Sequence, residues 1–110
     1  MLPESQSAVV ARNETWRGEA ATEPYEAGWA REAVIFVRAL DVVGPAGVAH
    51  VELSPDGMNW VAEGTSFVLP ASRDEVAFAR IREFGNWLRL TVLMPEHSAV
   101  TVVVTIHLKA

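Results

Sequence analysis

Three histidines, a scatter of carboxylates and a few serines are the side chains that could do chemistry in this chain. His50 and His107 fall on strand-like segments with polar neighbours. A pairing of those strands would bring them together, and with Glu52 or Asp41 they would make a two-histidine metal centre. His97 falls in a turn. No His-x-His or Glu-x-x-His spacing supports a ligand set, so solvent-facing histidines are the better reading and no metal is expected. Glu52 and Asp56 flank a turn, and Asp74-Glu75 sits in a loop. General acid–base work needs a carboxyl in a concave, partly dry site, whereas turn carboxyls are solvated. Ser54, Ser66, Ser72 and Ser98 lack a nucleophile elbow, and no Gly-rich phosphate loop is present. The expectation is a non-enzyme without a cofactor.

Composition narrows the classes further. The 110 residues contain no cysteine, which removes disulfides, thiolate nucleophiles and Cys-based zinc sites together. Nine Lys and Arg against 14 Asp and Glu give a net charge of -5, with no basic run, which argues against nucleic acid as a partner. Apolar residues make up 50% of the chain. With glycine the share is about 56%, above the usual range for soluble domains. A chain of this size needs less apolar content than a large one, so the surplus points to a rich core or to a surface covered by another subunit. A homo-oligomer is the expected state. No stretch is long enough to span a bilayer as a helix, so no membrane insertion is expected. The N-terminus has no basic segment and carries Glu4, so no signal peptide is read and cytoplasmic synthesis is the default.

Period-2 alternation dominates the elements that would position these residues. Val100, Val102, Val104, Ile106 and Leu108 share one face of a C-terminal strand; Leu88, Leu90, Val92 and Met94 share one face of the strand before it. Pro95-Glu96-His97-Ser98 separates the two, and a hairpin is expected there. A second hairpin runs from Val48–Leu53 through Ser54-Pro55-Asp56-Gly57 to Met58–Ala62. Gly44-Pro45-Ala46-Gly47 is a further turn, leading back to Ala33–Leu40, which is read as a strand for its β-branched residues. Thr65–Leu69 and Val76–Arg82 complete the set, with a helix over Asp74–Phe84 as the weaker alternative. Val34–Val37 and Val100–Ile106 are uncharged and β-prone, so each must be central in its sheet or covered. Seven or eight short strands without a convincing helix read as an all-β antiparallel sandwich, jelly-roll-like.

Residues 1–27 differ in character and are read as an N-terminal arm, or a first strand plus loop, ahead of a sandwich domain over 28–110. A strand is expected near Ala8–Arg12 or Thr15–Arg17. Trp16, Tyr25 and Trp29 cluster in this third of the chain and are the candidates for subunit contacts or ligand stacking, since large aromatics give much contact area for little entropy cost. Trp60 and Trp87 are read as core or interface anchors. On an arm reading, deleting residues 1–27 would dissolve an assembly and leave a folded domain.

Three stretches together resemble a known group: Gly28-Trp-Ala-Arg-Glu-Ala-Val-Ile-Phe-Val37, then Val51-Glu-Leu-Ser-Pro-Asp-Gly-Met-Asn-Trp60, then Phe84-Gly-Asn-Trp-Leu-Arg-Leu90 before an alternating strand ending at Lys109. In this order they resemble small β-sandwich proteins of the structural gene modules of tailed phages and prophages, over about residues 28–109. The Ser-x-Asp-Gly-x-x-Trp hairpin is shared with discoidin-like sandwiches. The resemblance implies a non-catalytic structural or assembly protein that builds or decorates a shell, tube or virion-like particle, with a shell or capsid protein as a further partner and a place in that particle. It carries over no site residues, because the shared positions are turn and core positions. The alternative is a carbohydrate-binding module stacking sugars on exposed Trp and Tyr.

Overall fold

Five alternating apolar residues of the last strand set the architecture. Val100, Val102, Val104, Ile106 and Leu108 are all buried, at the centre of a four-stranded sheet. The computed structural model describes residues 5–110; Met1–Glu4, part of the N-terminal stretch weighed above as a leader, lie outside the described residues. Nine strands are present among these: β1 (Ser5–Trp16), β2 (Glu19–Ala21), β3 (Tyr25–Glu26), β4 (Glu32–Val43), β5 (Val48–Ser54), β6 (Val61–Val68), β7 (Val76–Arg82), β8 (Trp87–Leu93) and β9 (Ala99–Lys109). Val76–Arg82 is strand throughout, and no helix long and apolar enough to cross a membrane occurs among the described residues.

The strands form two antiparallel sheets, β1-β9-β4-β7 and β2-β8-β5-β6, with β3 also pairing β8. The pairings are nested: β5 with β6, β4 with β7, β2 and β3 with β8, and β1 with β9. The chain is thus a long ribbon folded back on itself around the β5–β6 turn, and the β4–β9 and β5–β8 ladders join its coils into two layers. The result is an antiparallel β-sandwich, jelly-roll-like in its strand order. Ala33, Ile35, Val37 and Ala39 of β4 face Ala49, Val51, Leu88, Leu90 and Val92 across the core. Small alanines on some strands make room for the Val, Leu and Ile of others, which is how two pleated faces interdigitate.

Two expected connections are different in the structure. Trp87–Leu93 and Ala99–Lys109 are both strands, yet they do not form a hairpin: β8 lies in one sheet and β9 in the other. Pro95–Ser98 is a corner between layers, closed by the Ser98 N–H donating to the Pro95 carbonyl at 3.1 Å. Each strand buries one complete apolar face, and two such faces are covered best when they look at each other across the core. Gly44–Gly47 is the same kind of corner, taking β4 into the other sheet as β5. Where two strands were expected, at Met58–Ala62 and Thr65–Leu69, there is one, β6 (Val61–Val68), bent where Gly64 takes φ +112° and the register with β5 shifts, while Met58–Trp60 belong to the turn before it.

Residues 5–27 lie inside the two sheets. β1 pairs with β9 from Ser5↔Lys109 to Trp16↔Val100, spanning both stretches where one strand was expected. Ala11 and Trp16 reach the core. Thr22 is buried, its hydroxyl accepting the Leu90 N–H at 2.9 Å. The two stretches expected to be central, Val34–Val37 and Val100–Ile106, are in β4 and β9, the two inner strands of their sheet.

Candidate functional site

Chemistry-bearing side chains are dispersed by this topology. His50 points outward from the β5 sheet, between Thr91 and Ser66. His107 points outward from the other sheet, edge-on to Phe36 with ring centroids 5.2 Å apart. The two histidines conceived as a pair are therefore on opposite faces of the sandwich, and exposed His97 is in the Pro95–Ser98 corner. Among the described residues no three His, Asp or Glu side chains gather in a metal-holding group. Asp74 is taken by Arg38 at 3.0 Å, and Glu75 accepts from the Ser72 hydroxyl at 2.9 Å.

The Ser54–Trp60 turn accounts for its own polar residues. Buried Ser54 accepts the Asp56 and Gly57 N–H groups at 3.2 and 2.9 Å, and its hydroxyl donates to Asp56. Asp56 in turn accepts the Met58 and Asn59 N–H groups at 2.9 and 2.8 Å and the Asn59 amide at 2.7 Å. The Asn59 and Met58 backbone donors hold its carboxyl well below the ordinary aspartate value of 3.8. A depressed carboxyl contributes above the unfolded value, and that contribution is lost only as pH falls through the lower folded value. In a carboxyl-carbon NMR titration, Asp56 is therefore expected to titrate well below 3.8 and the turn to keep its amide shifts at pH 4. A midpoint at the ordinary value would contradict this hydrogen-bond set. Gly57, at φ +81°, brings its backbone over the Trp87 indole, where a Cβ would stand 3.2 Å from the ring.

What the fold does assemble is two decorated outer faces. On the sheet containing β9, register partners form outward rows: Ser7–His107–Val34–Arg80, then Val9–Thr105–Phe36–Phe78, then Arg12–Val103–Arg38–Val76. Phe36 and Phe78 lie 5.9 Å apart and Arg80 covers Phe78 at 5.2 Å. Phe78 is 48% exposed, and Val9 and Val76 are comparably open. Lys109, Glu32 and Arg82 close one end of this face.

Across the sheet containing β5, Leu93, Val48 and Val68 are direct neighbours in one outward row, with Glu19 beside Leu93 on β2. Leu93 is 58% and Val68 64% exposed. Two shallow hollows of about 520 and 550 Å³ meet at His50 and Leu93; Glu19, Ala21 and Thr91 line the first, Ala46, Val48 and Pro95 the second. Toward the other end, Arg89 stacks 4.2 Å over Trp60 while its Nε and Nη2 donate to Glu52 Oε1 at 2.8 and 2.7 Å.

Of the three aromatics singled out from sequence, Trp16 is 3% exposed and belongs to the core. Tyr25 is half-buried, its hydroxyl accepting from Gln6 at 3.1 Å. Trp29 is the open one, at 39%. Trp60 and Trp87 are half-buried on the outer face of the β5 sheet. The residues sequence reasoning passed over are Phe36, Phe78, Arg38, Arg80, Val48, Leu93 and Val68. Their signal was present: Val34 and Phe36, and Val76 and Phe78, make β4 and β7 apolar on both faces, whereas a two-layer antiparallel sandwich needs only one.

No protein-family model matches the sequence, and neither does any curated protein. Solved structures do match in shape. The SPBc2 prophage-derived protein YomS superposes with a TM-score of 0.67 at 11% identity, over 100% of this chain and 96% of that one. The PBSX exported protein XepA gives 0.58 at 10% identity, over 97% of this chain but only 36% of that chain. A subunit of the disulfide-linked pili of Bacillus endospore appendages gives 0.53 at 14%, over 96% and 87%. At such identities the likeness is one of fold, and the chain is a β-sandwich of the kind found in a prophage-derived protein.

Proposed function

We propose that this chain is a non-catalytic structural subunit that self-associates through its sheet faces and builds or decorates a larger protein particle. The observation that carries this reading is the exposure of apolar side chains in register rows on both outer faces. Isolated exposed apolar residues are ordinary, whereas contiguous rows mark an interaction surface. They supply the surface on which the compositional surplus is spent. Similarity of fold to a prophage-derived protein, a pilus subunit and infectious bursal disease virus, the last at a TM-score of 0.57 and 8% identity, supports a place in an assembled structure. Trp29 stands as a further contact residue, exposed in the loop before β4.

The sugar-binding alternative loses its platform in this arrangement. Trp16 is in the core, Trp60 is covered by Arg89, and Trp87 lies under Gly57, so no open row of Trp or Tyr rings is presented among the described residues. Light scattering on a size-exclusion column, with negative-stain images of the same fraction, tests the assembly reading. The expected result is a mass several times 12.0 kDa with a ring, tube or shell in the images. A monomer at every concentration would remove self-association as the function.

A further inference from the structure

Charge is divided unevenly between the two faces, and that division decides how copies can meet. Arg12, Arg38, Arg80, Arg82 and Lys109 all register on the outer face of the β9 sheet, five of the chain's nine cations. Only Glu32, 3.9 Å from Arg82, and Asp41 lie among them, with Asp74 at the rim on Arg38. Among the described residues, Arg12, Arg80 and Lys109 are thus the cations of this face outside its two ion pairs. The remainder of the chain therefore holds four cations against eleven carboxylates. The outer face of the β5 sheet belongs to that acidic remainder: Glu19 and Glu26 stand beside Leu93 and Trp87, and its one cation in the rows, Arg89, is already paired with Glu52.

We infer that the cationic, Phe78-bearing face of one copy docks on the acidic, hollowed face of the next, with Phe78 entering the hollows at Leu93 and His50 while Arg80 meets Glu19. This rests on the self-association proposed above and names its surface. Two cationic faces pressed together would crowd Arg12, Arg38, Arg80 and Arg82 of one copy against the same set on the other, and like charges brought together oppose docking. The two different faces instead match in sign, and exposed Phe78 on one answers the two shallow hollows on the other. Two of the four strand edges, those of β1 and β6, are poorer routes. β1 carries two register shifts and β6 is bent at Gly64, devices that block edge-to-edge pairing. A face that meets a different face of the next copy repeats, so the contact gives a closed ring or an open filament in place of a lone two-fold dimer.

Sedimentation velocity of the full chain, at about 0.05 M and about 0.5 M salt, reads the association directly. Arg80→Glu and Glu19→Lys are each expected to weaken it by about tenfold or more, and the two together to restore it to within about threefold of the starting chain. Phe78→Ser is expected to weaken it by about thirtyfold. Circular dichroism melts of each variant confirm that the fold is kept, since both charged positions are exposed and Phe78 lies on the outer face. Stronger association on Arg80→Glu would mean that the cationic faces meet each other, and overturns the inference. Undiminished association in all three single variants would overturn it too, while leaving self-association through another surface. A wild-type chain that stays monomeric overturns both this inference and the assembly reading, and leaves the face to a different partner.

Discussion

Trp16→Ala is expected to cost about 3–5 kcal/mol, the range for removing a large buried aromatic from a core. That is a large fraction of the total stability of a domain of this size, about 5–15 kcal/mol. Trp16 closes the end of the β1–β9 ladder beside Val100 and is 3% exposed, in a core otherwise made of aliphatic side chains with Phe84. Deleting residues 1–27 goes further. It removes Trp16, Ala11, Thr22 and Ala27 from the interior and strips β9 of one partner, exposing a strand that is β-prone and uncharged from Val100 to Ile106. The expected outcome is an insoluble product or one with no cooperative melt. A soluble, cooperatively melting remnant would show that the arm reading of this segment holds and that β1 is dispensable.

Val104→Asp and Thr105→Asp, adjacent substitutions to the same residue, are expected to differ by at least about 4 kcal/mol. Val104 is completely buried and registers on Val37 and Ala11, so its carboxylate would have no water and no partner. Thr105 points outward between Val9 and Phe36 on the cationic face, where a carboxylate stays solvated and the change is expected within about 1 kcal/mol. Urea denaturation of the two variants gives the difference directly. Equal destabilisation would mean that the strand's inward and outward sets are not those described.

Both expectations rest on what alternation can and cannot say. The alternating Val, Ile and Leu of 100–108 name the buried face of β9 correctly, and Leu88, Leu90, Val92 and Met94 do so for the strand before it, because side-chain direction in a strand has period 2 whatever the partner. The same logic places Val34–Val37 and Val100–Ile106 on inner strands: an uncharged β-prone strand left at an edge would aggregate. Partner choice is another matter. β8 and β9 follow each other through five residues and still belong to different sheets, since pairing depends on which distant strands complete each layer.

The candidate surface was legible only in pieces. Doubly apolar β4 and β7 showed that more than one face needs cover, and the compositional surplus said the same. That Arg12, Arg38, Arg80, Arg82 and Lys109 share a face could not be read from a chain in which they are scattered with no basic run. It follows from the registers Arg12↔Val103, Arg38↔Val76, Val34↔Arg80 and Glu32↔Lys109, which bring together residues as far apart as 12 and 103. The histidine pair went the other way: two residues on strand faces, plausible neighbours in one dimension, sit on opposite sides of the molecule. By itself, then, the amino-acid sequence determined the longer strands, the buried faces of the last two and the need for a covering surface, because those depend on local period and composition. The short β2 and β3, expected as loop, exist only through their pairing with β8. Which faces carry the charge, and which strands meet, was decided by the tertiary structure, because each depends on pairing between strands remote along the chain.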